Sequence, residues 1–262
     1  MKKTRYFLFL FVIMIIFVNY SSPNASENVL KNDSSNIQQC INFTDNVIRE
    51  SNCNIVDYGI KIKFLTCYNS KTIYDALKNV LNIGKSDITS MINNNICDCL
   101  QFKNKNIKGY IECIKQNNMY KTSIEIIKYV PMSNTYIQPV SANTVKHISV
   151  EDLITLKDNV INTLNVDEKY YLDFNWYIRA KQINKDCDIE CINNNICRIL
   201  RRVGALNIKS LKLYNGYSTT AYTKIFRREK IDNHWIDVNF AVCNYNSGIY
   251  LIIGAPEIFV SY

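Results

Sequence analysis

NNNICDCLQF, residues 93–102, sets two cysteines one residue apart behind three asparagines, and NNNIC returns at 193–197 in NNNICRIL. Read as a strand, the segment points Cys97 and Cys99 to the same face. Three chemistries use such a pair: a metal clamp, a redox couple, or part of a disulfide framework. Zinc needs four ligands, usually with a second closely spaced pair, and CDIEC at 187–191 is the local candidate. A thioredoxin-like couple needs C-x-x-C at a helix start in a βαβ setting, and neither is present. The disulfide reading has Cys97 and Cys99 each reaching a different partner strand, and it assigns no metal ligand and no cofactor.

The other cysteines agree with it. Cys40, Cys53, Cys67, Cys97, Cys99 and Cys113 fall in the first half, Cys187, Cys191, Cys197 and Cys243 in the second, and more than seventy residues between them hold none. An even count favours full pairing in an oxidising compartment. The amino terminus supplies that compartment. Lys2, Lys3 and Arg5 precede an apolar run from Phe7 to Val18, too short to span a bilayer as a helix, and NYSSPNAS follows with small residues for cleavage. We expect a signal peptide over 1–25 and a secreted chain, with no second segment suited to an anchor. The leader holds three basic and no acidic residues, so its loss lowers the formal charge from +8 to +5.

N-x-S/T sequences at Asn24, Asn32 and Asn42 make these the candidate glycosylation sites. They lie in or beside a polar segment that reads as a disordered lead-in over 26–39. Heavy use of Asn, Lys, Ile and Tyr is the mark of an AT-rich genome, so the asparagine echo carries little weight.

The remaining pattern is mainly β with some helix. YGIKIKFLT (58–66) alternates like a half-buried strand, and KGYIECIK and TSIEIIKYV are two more strands around QNNMY. KTIYDALKNVLNI (71–83) and SVEDLITLKDNVINTL (149–164) carry helical spacing, with Gly84 expected to stop the first. IKSLKLY, GYSTTAYTKIF, HWIDVNFAVC, IYLIIG and EIFVSY are short β-branched or aromatic runs between turn residues, and CINNNICRILRRVG reads as a short helix pinned by its cysteines. VPMSNTYIQPVSANT holds two of the four prolines. The expectation is two tandem disulfide-stabilised β-sandwich-like domains, 40–130 and 147–262, joined by a linker over 131–146.

Catalytic motifs are absent: no G-x-S-x-G, H-E-x-x-H, Walker loop or G-x-G-x-x-G. The chain has two histidines, His147 and His234, and seven glycines. No catalytic residue is assigned. The alternative to a binding protein is a secreted hydrolase using His234 or a carboxylate pair, and a helical cysteine-rich effector is a third reading. Two basic clusters are candidate partner-binding surfaces: Arg198, Arg201 and Arg202 in CRILRR, spaced to line one helix face, and Arg227 and Arg228 in FRREK. Nucleic acid is not an expected partner for a secreted chain of modest charge.

The leader, the asparagine-rich composition, the two cysteine-closed halves and ICDCLQF followed by GYIECIK and SIEIIKYV resemble the six-cysteine family of malaria-parasite surface proteins, in particular its degenerate two-domain members. The resemblance implies tandem β-sandwich domains and a non-enzymatic role as an adhesin or complex subunit in host-cell (erythrocyte) attachment or invasion. It also implies a location at the parasite surface or in an apical secretory organelle. The implied partner is a membrane-anchored parasite protein or a host receptor, which would hold the chain peripherally at a membrane. The family's C-x-C closes a domain, whereas here Cys113 follows it and the second half has no C-x-C. Family pairing would force Cys97 onto Cys99, so no connectivity is carried over.

Overall fold

The structure, a computed structural model, describes residues 34–131, 150–183 and 188–261. Its elements in order are α1 (Ser34–Glu50), β1 (Cys53–Thr66), α2 (Ser70–Leu81), β2 (Ile88–Asn93), β3 (Cys97–Lys103), β4 (Ile107–Gln116) and β5 (Met119–Tyr129). The second half supplies α3 (Val150–Leu164), β6 (Tyr171–Gln182), α4 (Ile189–Arg202), β7 (Leu206–Leu213), β8 (Gly216–Tyr222), β9 (Glu229–Ile231), β10 (His234–Ile236), β11 (Val238–Tyr245) and β12 (Gly248–Ala255). The mainly β character with some helix is as the sequence reads. Among the described residues no helix is long and apolar enough to cross a membrane.

Ten strands form one antiparallel sheet in the order β2-β3-β4-β5-β1-β6-β12-β11-β8-β7, and β9 and β10 form a separate hairpin. Each half therefore repeats one plan: helix, long strand, helix, then a four-strand meander whose last strand returns to the long one. The expected linker falls largely outside the described residues, and the halves on either side of it share the sheet through β1 and β6, which pair antiparallel from Cys53↔Gln182 to Phe64↔Tyr171. The layer over this sheet consists of helices. Tyr74 of α2 meets Phe102 of β3 with ring centroids 5.7 Å apart, and Phe43 of α1 meets Phe240 of β11 at 6.4 Å. The sequence echo does not mark this repeat: residues 93–97 lead into β3 whereas 193–197 lie inside α4.

Local chemistry explains the boundaries. Asn69 caps α2 by accepting from the Thr72 amide, and the helix ends at Asn82 in the left-handed region (φ 54°), two residues before the glycine expected to stop it. Asp188 caps α4 by accepting from the Glu190 amide. The lead-in expected over 26–39 is overtaken by α1, which begins at Ser34 and buries Cys40, Phe43 and Val47; polarity hid a helix with one narrow apolar stripe. Of EIFVSY, residues 257–261 do not add a strand. Its Phe259 lies edge-on to Tyr177 at 5.2 Å, so the segment covers the face opposite the helices.

Gly109 faces Phe102 across the β3–β4 pair, and any Cβ there would be driven into the Phe102 ring. The ring in turn packs on Tyr74 and has no room to yield. Gly109→Ala is expected to destabilise by about 1–3 kcal/mol, the usual cost of overpacking a core. Urea unfolding followed by circular dichroism would measure this; an unchanged midpoint would mean the ring can move aside.

Candidate functional site

The far edge of the sheet brings together more of the chemistry singled out in the sequence than any other described surface. β7 is an edge strand, hydrogen-bonded on one side only, to β8. Most of it is exposed, and Leu206 (50%), Leu211 (66%) and the following Tyr214 (107%) leave apolar surface in water. A long, exposed apolar edge is a liability that soluble proteins usually blunt. Lys209 and Lys212 stand on the same strand.

The helix leading into this edge carries the first basic cluster. Arg198, Arg201 and Arg202 are all exposed on the last two turns of α4. Arg201 and Arg202 sit where the helix dipole is negative, which by itself favours cations there. Arg202 pairs with Glu50 at the end of α1, while Arg198, which donates only to the neutral Asn195 amide, and Arg201 keep their charge on the exposed face. The pair with Arg202 holds the Glu50 carboxyl below its usual range through a hydrogen bond to the guanidinium.

The second cluster divides. Arg227 turns to Asp173 on β6 at 2.6 Å, where Lys63 also binds at 3.3 Å, so it belongs to a structural network. Arg228 instead stacks on Trp235, 4.4 Å from the ring centroid. The Asn207 side chain donates to the Trp235 carbonyl at 3.1 Å, tying the β9–β10 hairpin to the first residues of β7. Thus Arg228 and the half-exposed Trp235 flank the strand that follows Arg201. In the sequence, residues 208–214 read only as a strand; the exposure of this edge depends on which strand ends the sheet, which no local signal encodes.

His234 opens β10 and is exposed, paired across the hairpin with Ile231. His147 lies outside the described residues, as do Asn24, Asn32, Cys187 and the expected signal peptide. Asn42 is exposed on α1, within the helix rather than in a lead-in, at the rim of a groove of about 1010 Å³ also lined by Arg49, Cys53, Val203 and Ile225. A glycan on Asn42 would stand over that groove. Glycosylated protein is expected to lose one glycan's mass on Asn42→Gln in a gel-shift assay; no mass change would exclude this site.

The cysteines take distinct settings. Cys40, Cys53, Cys99, Cys113, Cys197 and Cys243 are buried, Cys97 is half-buried, and Cys67 and Cys191 are exposed. Burial pushes the Cys40 thiol up to about 11 and the Cys113 thiol to about 12, which makes both poor nucleophiles. Cys97 and Cys99 do share a face of β3, as their spacing dictates. Instead of diverging toward two partner strands, their sulfurs lie 3.1 Å apart. On the next strand Cys99 is in register with Glu112, and Tyr110 donates from its hydroxyl to Cys99 Sγ at 3.2 Å and to Glu112 Oε1 at 3.4 Å. Asp98 points the other way, accepting from the amide and hydroxyl of Ser70 at the start of α2 at 2.9 and 2.7 Å.

No protein-family model matches the chain, and no curated protein matches it by sequence.

Proposed function

We propose that this is a secreted, non-enzymatic binding protein that acts as a subunit of a parasite surface complex, docking a membrane-anchored partner or host receptor during host-cell attachment or invasion. The observation that carries the reading is the exposed apolar edge β7, flanked by Arg201, Arg228, Lys209 and Lys212. Such an edge suits strand addition, in which an extended segment of a partner takes up the unpaired backbone groups while side-chain contacts set specificity. Leu206, Leu211 and Tyr214 supply the apolar contacts, and the surrounding cations favour an acidic segment. Oxidative pairing of the cysteines other than Cys97 and Cys99 belongs to this reading.

Affinity purification of the native protein under non-reducing conditions, with mass spectrometry of the co-purifying chains, tests it against a Lys212→Pro variant. Lys212 alternates with the residues that bond β8, so its N–H faces away from the sheet, and proline there removes an unpaired edge donor while leaving the β7–β8 ladder intact. The expected result is a partner recovered with the wild type and lost with the variant while the circular dichroism spectrum is unchanged. Equal recovery with both would move the interface elsewhere, and a lone monomer from both would overturn the complex-subunit reading.

A further inference from the structure

The geometry points to a zinc site on the face of the sheet opposite the helices, formed by Cys97 Sγ, Cys99 Sγ and the Glu112 carboxylate, with a fourth position left for an exchangeable ligand. The three donor atoms lie within 4.8 Å of one another. Two strands build the site: the period of β3 places both thiols on one face, and the β3–β4 register sets Glu112 directly opposite Cys99. Of CDIEC, Cys187 lies outside the described residues and Cys191 lies in the other half, within α4, and is not needed.

The donor set fits zinc, a borderline ion bound by thiolates at about 2.3 Å and by carboxylates at about 2.0–2.2 Å. Tetrahedral ligation at those lengths separates two sulfurs by about 3.8 Å, so the sulfurs need only open from 3.1 Å, a small rotation of either side chain. Three protein ligands and one open position is the pattern of sites that exchange their fourth ligand. Tyr110 is the positioning residue: its hydroxyl holds both Cys99 and Glu112 from outside the ligand shell, the role such groups play in orienting metal ligands.

A disulfide between the two is the chemical competitor, and strand geometry opposes it. Residues two apart on an extended strand have Cα atoms about 6.6 Å apart, near the upper limit of about 6.8 Å for a disulfide.

The test uses the full-length protein with these thiols reduced, titrated with Zn²⁺ by calorimetry and with Co²⁺ as a spectroscopic probe. One equivalent of metal is expected, with a thiolate-to-cobalt charge-transfer band. Cys97→Ser and Cys99→Ser should each abolish that stoichiometric binding. Tyr110→Phe should weaken it by about 10–100-fold, the usual range for losing a metal ligand's support, and Glu112→Gln, which removes a ligand itself, should weaken it by more. Cys191→Ser should bind as the wild type does. Loss of binding in Cys191→Ser, retention in both Cys97→Ser and Cys99→Ser, or a native protein in which mass spectrometry finds Cys97 or Cys99 in a disulfide would each overturn the assignment. Circular dichroism of each variant separates loss of the site from loss of the fold.

Discussion

Asp237→Ala is expected to cost about 3–6 kcal/mol, since it strips acceptors from several buried donors at about 1–3 kcal/mol each. Asp237 is fully buried between β10 and β11. Its carboxylate accepts from the Thr223 amide at 2.7 Å, the Thr223 hydroxyl at 2.9 Å, the Ile225 amide at 3.1 Å and the Phe226 amide at 3.3 Å. Burial pushes its carboxyl up while these donors pull it back down. The turn it organises carries Phe226, which stacks edge-on with Phe43 of α1 at 5.8 Å and with Trp176 of β6 at 5.4 Å, and the Ile225 carbonyl, which accepts from the Cys40 thiol. Losing the carboxylate therefore loosens the aromatic cluster that fixes α1 to the sheet. Asp237→Asn should cost less, because the amide keeps one acceptor oxygen while turning its NH₂ against the remaining donors. Denaturant unfolding of the three proteins is the measurement. A loss below about 1 kcal/mol in Asp237→Ala, the size of an ordinary surface change, would show that the turn holds itself.

The contrast between this turn and the rest of the molecule explains what the sequence could and could not reveal. Helices α2 and α3 and strands β1, β4 and β5 are each apolar on one side only, so their periods stand out over a few turns or residues. Strand β6 shows no period in the sequence because Phe174, Asn175, Trp176, Tyr177 and Ile178 are buried in a row, on both faces, and alternation vanishes. EIFVSY is β-like in composition, yet Ile258, Phe259 and Val260 are half-buried by packing over the Tyr177 cluster without pairing to a strand, and β propensity registers burial as much as pairing. The candidate sites depend on long-range register. Glu112 stands thirteen positions from Cys99 and becomes its neighbour only when β3 and β4 align, and Arg228 reaches the β7 edge only through the hairpin anchored on Asn207. Arg227 and Arg228, adjacent in the chain, face separate partners for the same reason.

The seam between the halves should be as sensitive as that turn. Asp57 on β1 is 5% exposed and receives the Tyr177 hydroxyl at 2.8 Å, together with Arg179 Nε at 2.9 Å and Nη2 at 2.8 Å, all from β6. Removing one member of a buried charged pair costs about 3–5 kcal/mol, because the partner is left uncompensated. That is the loss expected for Asp57→Ala, whereas Tyr177→Phe, which deletes one neutral donor, should cost about 1 kcal/mol. In Asp57→Ala the further change Tyr177→Phe should cost almost nothing, since the hydroxyl has already lost its acceptor; a double-mutant cycle reads this coupling directly. The shape of the transition carries the structural point. β1 and β6 lie at the centre of one sheet, so neither half buries its long strand without the other, and Asp57→Ala should unfold in a single step at lower denaturant, with far-ultraviolet dichroism and tryptophan fluorescence coinciding. Two separated transitions, one of them unmoved by the substitution, would show that the halves fold independently and that the β1–β6 pairing is not what unites them.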